Sequence, residues 1–347
     1  MTVHVPHFAE AAFHDRLVAA AARRADQPAF VEKHRGVWVS RRWRDAVAEI
    51  DRLAAGLRRL GLAVGGSVAF EGEISVHLLL AAAAVRAAGG RVVAVATTAT
   101  LAERRAVLAD PRIVAAVVQS REAVAAWQVA AGGRPLPIVF DHVSAGGRAP
   151  AETVTTFAAL RRLAEPLGWA ASLDRSVPHA SGRLAWVEES TEWAEGLDVV
   201  LDRWLDDGIA VAVPERIAAA ARDRVEIRPT EWTASVGRAE RAAAAIRERL
   251  PQRGSVGAWL VAAALGRSAG PLSAATVGLL RRHAGLSRIA AVAIHDGTGR
   301  LPNADTQSLF RALRAPLVPD RREAPARDGA ARREPAAAQL VAAGAAS

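Results

Sequence analysis

Four short groups of residues have types and spacings that could do chemistry. Gly266-Arg-Ser-Ala-Gly270 has the G-x-S-x-G spacing of a nucleophile elbow, a turn from strand to helix that exposes a serine hydroxyl. His4-x-x-His7 with His14 could ligate a metal. His295-Asp296 could form a carboxylate-polarised imidazole. Gly132-Gly133 and Gly146-Gly147 are glycine pairs of the kind that let a backbone approach a phosphate. Each group needs an element to position it. Ala258–Leu265, ahead of Gly266, is alanine-rich and reads as helix rather than strand. No Asp or Glu lies between Ser268 and His295, so the Ser, acid, His order of a hydrolase cannot be completed. The three histidines lie in an N-terminal segment without an evident further ligand. Neighbours in sequence usually face different ways, so His295-Asp296 reads as turn chemistry. The glycine pairs lack the helix that a dinucleotide fingerprint requires.

Composition narrows the classes further. The chain has 347 residues, 51% hydrophobic, which is ample for one large core or two ordinary ones. No apolar run reaches the roughly 18 residues of a membrane span. The start, Met1-Thr-Val-His-Val-Pro, shows no secretory signal pattern. With no cysteine, disulfides, thiol catalysis and Cys-ligated zinc are excluded, and a cytoplasmic location is expected. The formal charge of +9 is carried almost wholly by arginines scattered among acids along helices. It lacks the basic, aromatic-interleaved blocks of a single-strand binder, so no nucleic-acid partner is expected. Arg-for-Lys usage and abundant Ala fit a GC-rich coding bias.

Periodicity predicts the elements. A helix is expected over Phe13–Ala25 and a hairpin over Pro28–Val39. Ser40 could cap a helix in which Trp43, Val47, Ile50, Leu53, Ala54 and Leu57 recur at three- and four-residue steps. Strands Ser67–Phe70, Arg91–Val95, Ile113–Val118 and Leu136–Phe140 alternate with helices Ser75–Ala88, Leu101–Ala109 and Arg121–Ala130, the signature of a parallel sheet covered on both faces. A short helix is expected at Thr156–Ala164. Ala171–Gly182 reads as loop. Helices follow at Thr191–Leu205, Gly237–Leu250, Val256–Leu265, Ala274–His283 and Asp305–Leu313. Strands are expected at Ile209–Val213, Thr230–Ser235, Arg288–Ile294 and Pro316–Val318. From Asp320 the chain is low-complexity Ala, Arg, Pro and Glu, expected to be disordered.

Glu32-Lys-His-Arg-Gly-Val-Trp38, Gly65-Gly-Ser-Val-Ala69, Gly72-Glu73, Arg228-Pro-Thr230 and the segment Ile289–Arg300 followed by Leu309–Leu313 resemble, together, the N-terminal domain of long-chain acyl-CoA synthetases. Those are members of the adenylate-forming, AMP-binding superfamily. The resemblance implies an α/β fold of parallel sheets flanked by helices. It places Gly297, Thr298 and Gly299 at the turn that borders the adenine, as cofactor-binding residues. It places Glu195 at the family's Glu, and Glu192 where the family has His, as substrate-binding residues. It also exposes departures. The Ser/Thr/Gly-rich phosphate loop with its lysine would fall at Ala180-Ser-Gly-Arg-Leu-Ala-Trp186, where only Ser181-Gly182 matches. Lys33 is the sole lysine, and no tyrosine exists for the Tyr-Gly-x-Thr-Glu motif. The ribose-binding Asp, the hinge and the C-terminal domain have no counterpart.

The expectation is therefore a degenerate synthetase-like domain over residues 1–319, lacking the C-terminal domain, with a tail over 320–347. No catalytic residue and no metal ligand is assigned. ATP or AMP and Mg enter only if the ancestral site is retained. The expected function is that of a non-catalytic or incomplete homologue of an ATP-dependent long-chain fatty acid–CoA ligase, binding an acyl chain, an acyl-adenylate or a protein partner, or self-associating. The alternative is a ligase active only with a second chain that supplies the missing parts. Trp186, Trp193, Trp204 and Trp232 are read as packing residues, with an inherited acyl tunnel as the competing reading.

Overall fold

In a computed structural model, which describes residues 8–140, 154–163, 182–251, 255, 259, 262, 263, 266 and 271–320, the parallel α/β expectation is met by two sheets. The helices are α1 (Phe8–Arg24), α2 (Trp43–Arg59), α3 (Val76–Ala87), α4 (Leu101–Leu108), α5 (Arg121–Ala131), α6 (Phe157–Arg162), α7 (Gly196–Asp207), α8 (Ala220–Ile227), α9 (Val236–Glu248), α10 (Pro271–His283) and α11 (Ala304–Ala312). The strands are β1 (Pro28–His34), β2 (Val37–Arg42), β3 (Ser67–Glu71), β4 (Arg91–Ala94), β5 (Ile113–Val118), β6 (Ile138–Phe140), β7 (Val154–Thr156), β8 (Leu184–Trp186), β9 (Ala210–Val213), β10 (Glu231–Ala234), β11 (Val292–Ile294) and β12 (Leu317–Pro319). The larger sheet has the order β12-β11-β10-β8-β9-β1-β2, and the smaller β4-β3-β5-β6-β7. All named pairings are parallel except the β1–β2 hairpin.

Period-two alternation divides each strand between two cores. In the smaller sheet, Val68, Phe70, Ala115 and Val117 face a central core, while Ala69, Ala116 and Val118 face Leu108, Ala123 and Trp127 of α4 and α5. In the larger sheet, Phe30, Ala185, Val187, Val211 and Val213 face the same central core. Their neighbours Val31, Leu184, Trp186, Ala210 and Ala212 face an outer cluster with Trp232, Ala239, Ala243, Leu309 and Phe310. Helices α2, α3 and α7 pack in the central core between the sheets. The run Leu78–Val85 in α3 is buried on every side, as a helix that is apolar all round must be. Trp204 of α7 stacks on Trp43 at 4.3 Å between ring centroids and on Phe30 at 4.8 Å.

Several expectations shift. Ser40 does not cap α2: the β2 ladder runs through it, opposite Val31, and the helix opens after Arg42 without a side-chain cap. The helix expected from Thr191 begins at Gly196, because residues 189–192 pair with the smaller sheet. Strands β7 and β8 and helix α8 were not foreseen. The three-residue strands are too short to show alternation, and α8 is half charged. Most of the helix expected at 256–265, the loop expected at 171–182 up to residue 181, Ser268 with most of its elbow, His4, His7, Gly146-Gly147 and the tail from 321 lie outside the described residues.

Candidate functional site

In open α/β sheets, ligand sites form outside the carboxyl ends of the strands, where loops leave in different directions. Four neighbouring strands of the larger sheet deliver polar residues to that edge. Strand β8 leads into 187–195, β10 into the α9 cap, β11 into 295–299 and β12 into Asp320.

The segment after β8 is built from carboxylates with distinct partners. Glu188 is buried and accepts hydrogen bonds from Trp186 Nε1 at 2.7 Å and Arg224 Nη1 at 2.5 Å. The Arg224 guanidinium also lies 4.2 Å from the Trp232 ring centroid, so this charge pair is sealed into the outer core. Glu189, 2% exposed, accepts the backbone N–H of Ser235 at 2.7 Å, with Arg238 Nε at 3.8 Å. Burial pushes its carboxyl up to about 7, against the opposing pull of Ser235 and Arg238. Ser235 in turn caps α9 by accepting from Arg238 N.

Next come the bonds that join the two sheets. Ile74 N donates to Glu189 O, Thr191 N to Gly72 O, and Glu73 forms an antiparallel bridge with Ser190. The Thr191 hydroxyl accepts from Gly72 N at 3.0 Å and donates to Val95 O at 2.6 Å.

The two expected substrate-binding residues then part. Glu192 is exposed and accepts from Thr97 Oγ1 at 3.1 Å, on the side of the smaller sheet. Glu195, just ahead of α7, reaches the β11 turn, where its Oε2 lies 2.9 Å from His295 Nε2. A Cβ built on Gly297 would fall 2.9 Å from Glu195 Oε1. The structure thus brings Glu195 to the expected glycine turn. Gly297 and Gly299 both have φ +74. The Thr298 N–H and hydroxyl both donate to Asp296, each at 2.9 Å. Burial acts to raise the Asp296 carboxyl, but hydrogen bonds from Thr298, Arg300 and Gly299 hold it below the usual range. His295 reaches Glu195, while Asp296 accepts from Thr298 and Arg300.

Other expected groups lie apart from this turn. Lys33 is buried, and its Nζ donates to Asp223 at 2.9 Å and also to Glu226. His14 pairs with Asp51 at 3.2 Å. Trp186, Trp204 and Trp232 are fully buried packing residues. Trp193 packs beside His295, ring centroids 6.1 Å apart. Sequence reasoning missed Glu189, Ser235 and Arg238. The Ser cap ahead of the α9 pattern was the available signal for two of them.

Chemically, the edge is a set of carboxylates already holding the N–H, imidazole and guanidinium groups that could receive an anion. Among the described residues, no group of three or more His, Cys, Asp or Glu side chains stands together to hold a metal. These residues do not fit a magnesium triphosphate.

Residues 17–170 match the family model described as AMP-binding enzyme. Solved structures share the fold. Acetoacetyl-CoA synthetase from Streptomyces lividans superposes with a TM-score of 0.58 at 16% identity, covering 88% of this chain and 50% of that one. A putative long-chain-fatty-acid CoA ligase from Rhodopseudomonas palustris gives 0.55 at 18% identity, covering 88% and 73%. The A-PCP didomain of carboxylic acid reductase from Segniliparus rugosus, in complex with AMP, gives 0.64 at 14% identity, covering 88% and 51%. No curated protein sequence matches. The chain spans about half the length of the acetoacetyl-CoA synthetase. The fold is that of the N-terminal domain of adenylate-forming enzymes, and the family match is confined to residues 17–170.

Proposed function

We propose that this chain is a non-activating homologue of the acyl-CoA ligases. It holds an acyl chain or acyl-adenylate at the carboxyl edge of the larger sheet without making the adenylate itself. The observation that carries this reading is the Glu195 carboxylate lying against Gly297 and His295. A negative charge beside a nucleotide turn disfavours a polyphosphate there. Two further features support it. Glu189 engages the first N–H of the α9 cap and lies near Arg238, groups that would otherwise receive an oxyanion. The one lysine is buried between Asp223 and Glu226, and guanidinium is a poor substitute for ammonium at a tight site.

The test is a pair of calorimetric titrations, one with a stable long-chain acyl-adenylate analogue and one with Mg-ATP, alongside an assay of fatty-acid-dependent AMP release. Saturable binding of the analogue, no binding of Mg-ATP and no AMP release are expected. Robust AMP release by the purified protein would sink the proposal.

A further inference from the structure

We propose that Arg228, Arg281, Arg288 and Arg314 form a binding site for a phosphate-type oxyanion at the amino-terminal edge of the larger sheet, opposite the carboxyl edge described above. The sequence hides this grouping because its members lie far apart along the chain. Strand register brings them together. Trp232 pairs with Val292, and Val292 with Leu317, in adjacent parallel strands. Arg228, Arg288 and Arg314 each lie three or four residues ahead of those partners, so they enter the sheet side by side. Strands β10 and β12 are two strand spacings apart, about 10 Å.

Contacts confirm the contiguity. Arg288 Nη1 donates to Arg228 O at 3.4 Å. Arg281 Nη2 donates to Ile289 O at 2.7 Å, and its Nη1 donates to Leu313 O and to Arg314 O. Burial lowers the Arg281 guanidinium from its ordinary value, and the like charge of Arg314 lowers it further. Helices α8, α10 and α11 all end at this edge, and the inner pair, Arg281 and Arg288, donates to backbone carbonyls of Leu313, Arg314, Ile289 and Arg228. Those carbonyls do not account for the outer ones. Arg228, Arg282 and Arg314 are exposed, and none of these or Arg281 pairs with a carboxylate among the described residues.

The backbone adds an independent sign. Arg228 and Arg314 both have φ +52, at helix-terminating positions where glycine is the ordinary residue. Arginine there carries a conformational penalty that glycine would not. Planar guanidinium groups with donors to spare, close to like charges, match the oxygens of a phosphate through paired N–H bonds.

The experiment titrates the full chain with inorganic pyrophosphate at low ionic strength and again at about 0.15 M salt. The variant is Arg228→Asn with Arg314→Asn, since asparagine accepts the left-handed conformation and should preserve the fold. Arg59→Asn, an exposed residue at the end of α2, is the control. One saturable site is expected, weakened at least tenfold in the double variant and unchanged in the control. Absence of saturable binding to the wild type, equal binding by the double variant, or equal loss in the control would each overturn the proposal. Should the double variant fail to fold, Arg314→Asn alone carries the test, since Arg314 is exposed and a member of the site. Several-fold weakening supports the site, and unchanged affinity overturns it.

Discussion

The Glu195 carboxylate and the Gly297 backbone occupy adjoining space: a Cβ on Gly297 would meet Oε1 at 2.9 Å and Oε2 at 3.1 Å. With φ +74, the residue is also in the region that L side chains rarely adopt. Gly297→Ala should therefore destabilise the protein by about 1–2 kcal/mol, from backbone strain and a displaced carboxylate. Glu195→Ala in the same chain should recover the contact but not the strain. Denaturant unfolding of the four-member cycle should give a coupling of roughly 0.5–1 kcal/mol. A purely additive pair would mean that the two residues do not touch.

Glu189 sets a pH dependence. Burial pushes its carboxyl up to about 7 in the folded protein, from an ordinary 4.5. The folded protein therefore binds this proton more tightly than the unfolded chain does. The site's contribution is greatest below pH 4.5 and is lost as pH rises toward 7, a fall of up to about 3 kcal/mol. Glu189→Gln can still accept from Ser235 N–H and has no charge to bury. Comparing chemical denaturation at pH 5 and pH 8, the variant should flatten this part of the profile and gain stability at pH 8. A variant no more stable than wild type at pH 8 would refute the assignment.

Lys33 holds the buried Asp223 carboxylate. Lys33→Met should cost about 3–5 kcal/mol at pH 7, because the buried Asp223 would keep only the Glu215 N–H at 3.2 Å and the looser pairing with Arg222 at 3.6 Å. Burial works to lower the Lys33 value, but Glu226 and Asp223 outweigh it and raise the value above 10.5. The stabilisation is thus complete below the unfolded-state value and lost only as pH rises through the higher folded-state one. The gap between the urea midpoints of wild type and variant at pH 7 should narrow as pH is raised past 10.5.

Thr191→Val keeps the shape of the side chain and removes the hydroxyl, leaving Gly72 N–H and Val95 O without that partner. The expected loss is about 1–3 kcal/mol, the penalty of an unmade buried hydrogen bond. Amide exchange at Gly72 should speed up more than at the centre of β3. Uniform acceleration across the sheet would assign the loss to global stability instead.

Much of the fold was legible because its elements announce themselves locally. Ile113–Val118 is a continuous apolar run bounded by turns, and it is strand β5 over the same residues. Ser75 caps α3, and Thr100 with Glu103 closes a capping box on α4. Strand β8 was illegible. Its three residues, Leu184–Trp186, carry no period of their own, and only pairing with β9 and β10 makes them a strand. The same holds at the site. The glycines of the turn could be found in sequence, and Glu195 was named with them. That Glu195 would meet Gly297 across a gap of about a hundred residues, while Glu192 turned to Thr97, depends on where α7 begins. The start of α7 was placed too early because the pairing of residues 189–192 with Gly72–Ile74 leaves no local mark.

Through Thr191 and its neighbours the two sheets are pinned at their carboxyl edges by backbone and hydroxyl bonds from both sides. Such a joint behaves mechanically as a weld rather than a hinge. A ligand arriving beside it meets a stiff wall and has little opportunity to swing one half of the molecule against the other. Whatever such a ligand communicates must travel as a change in charge or in local order at the rim, and the shape of the scaffold stays constant while it does.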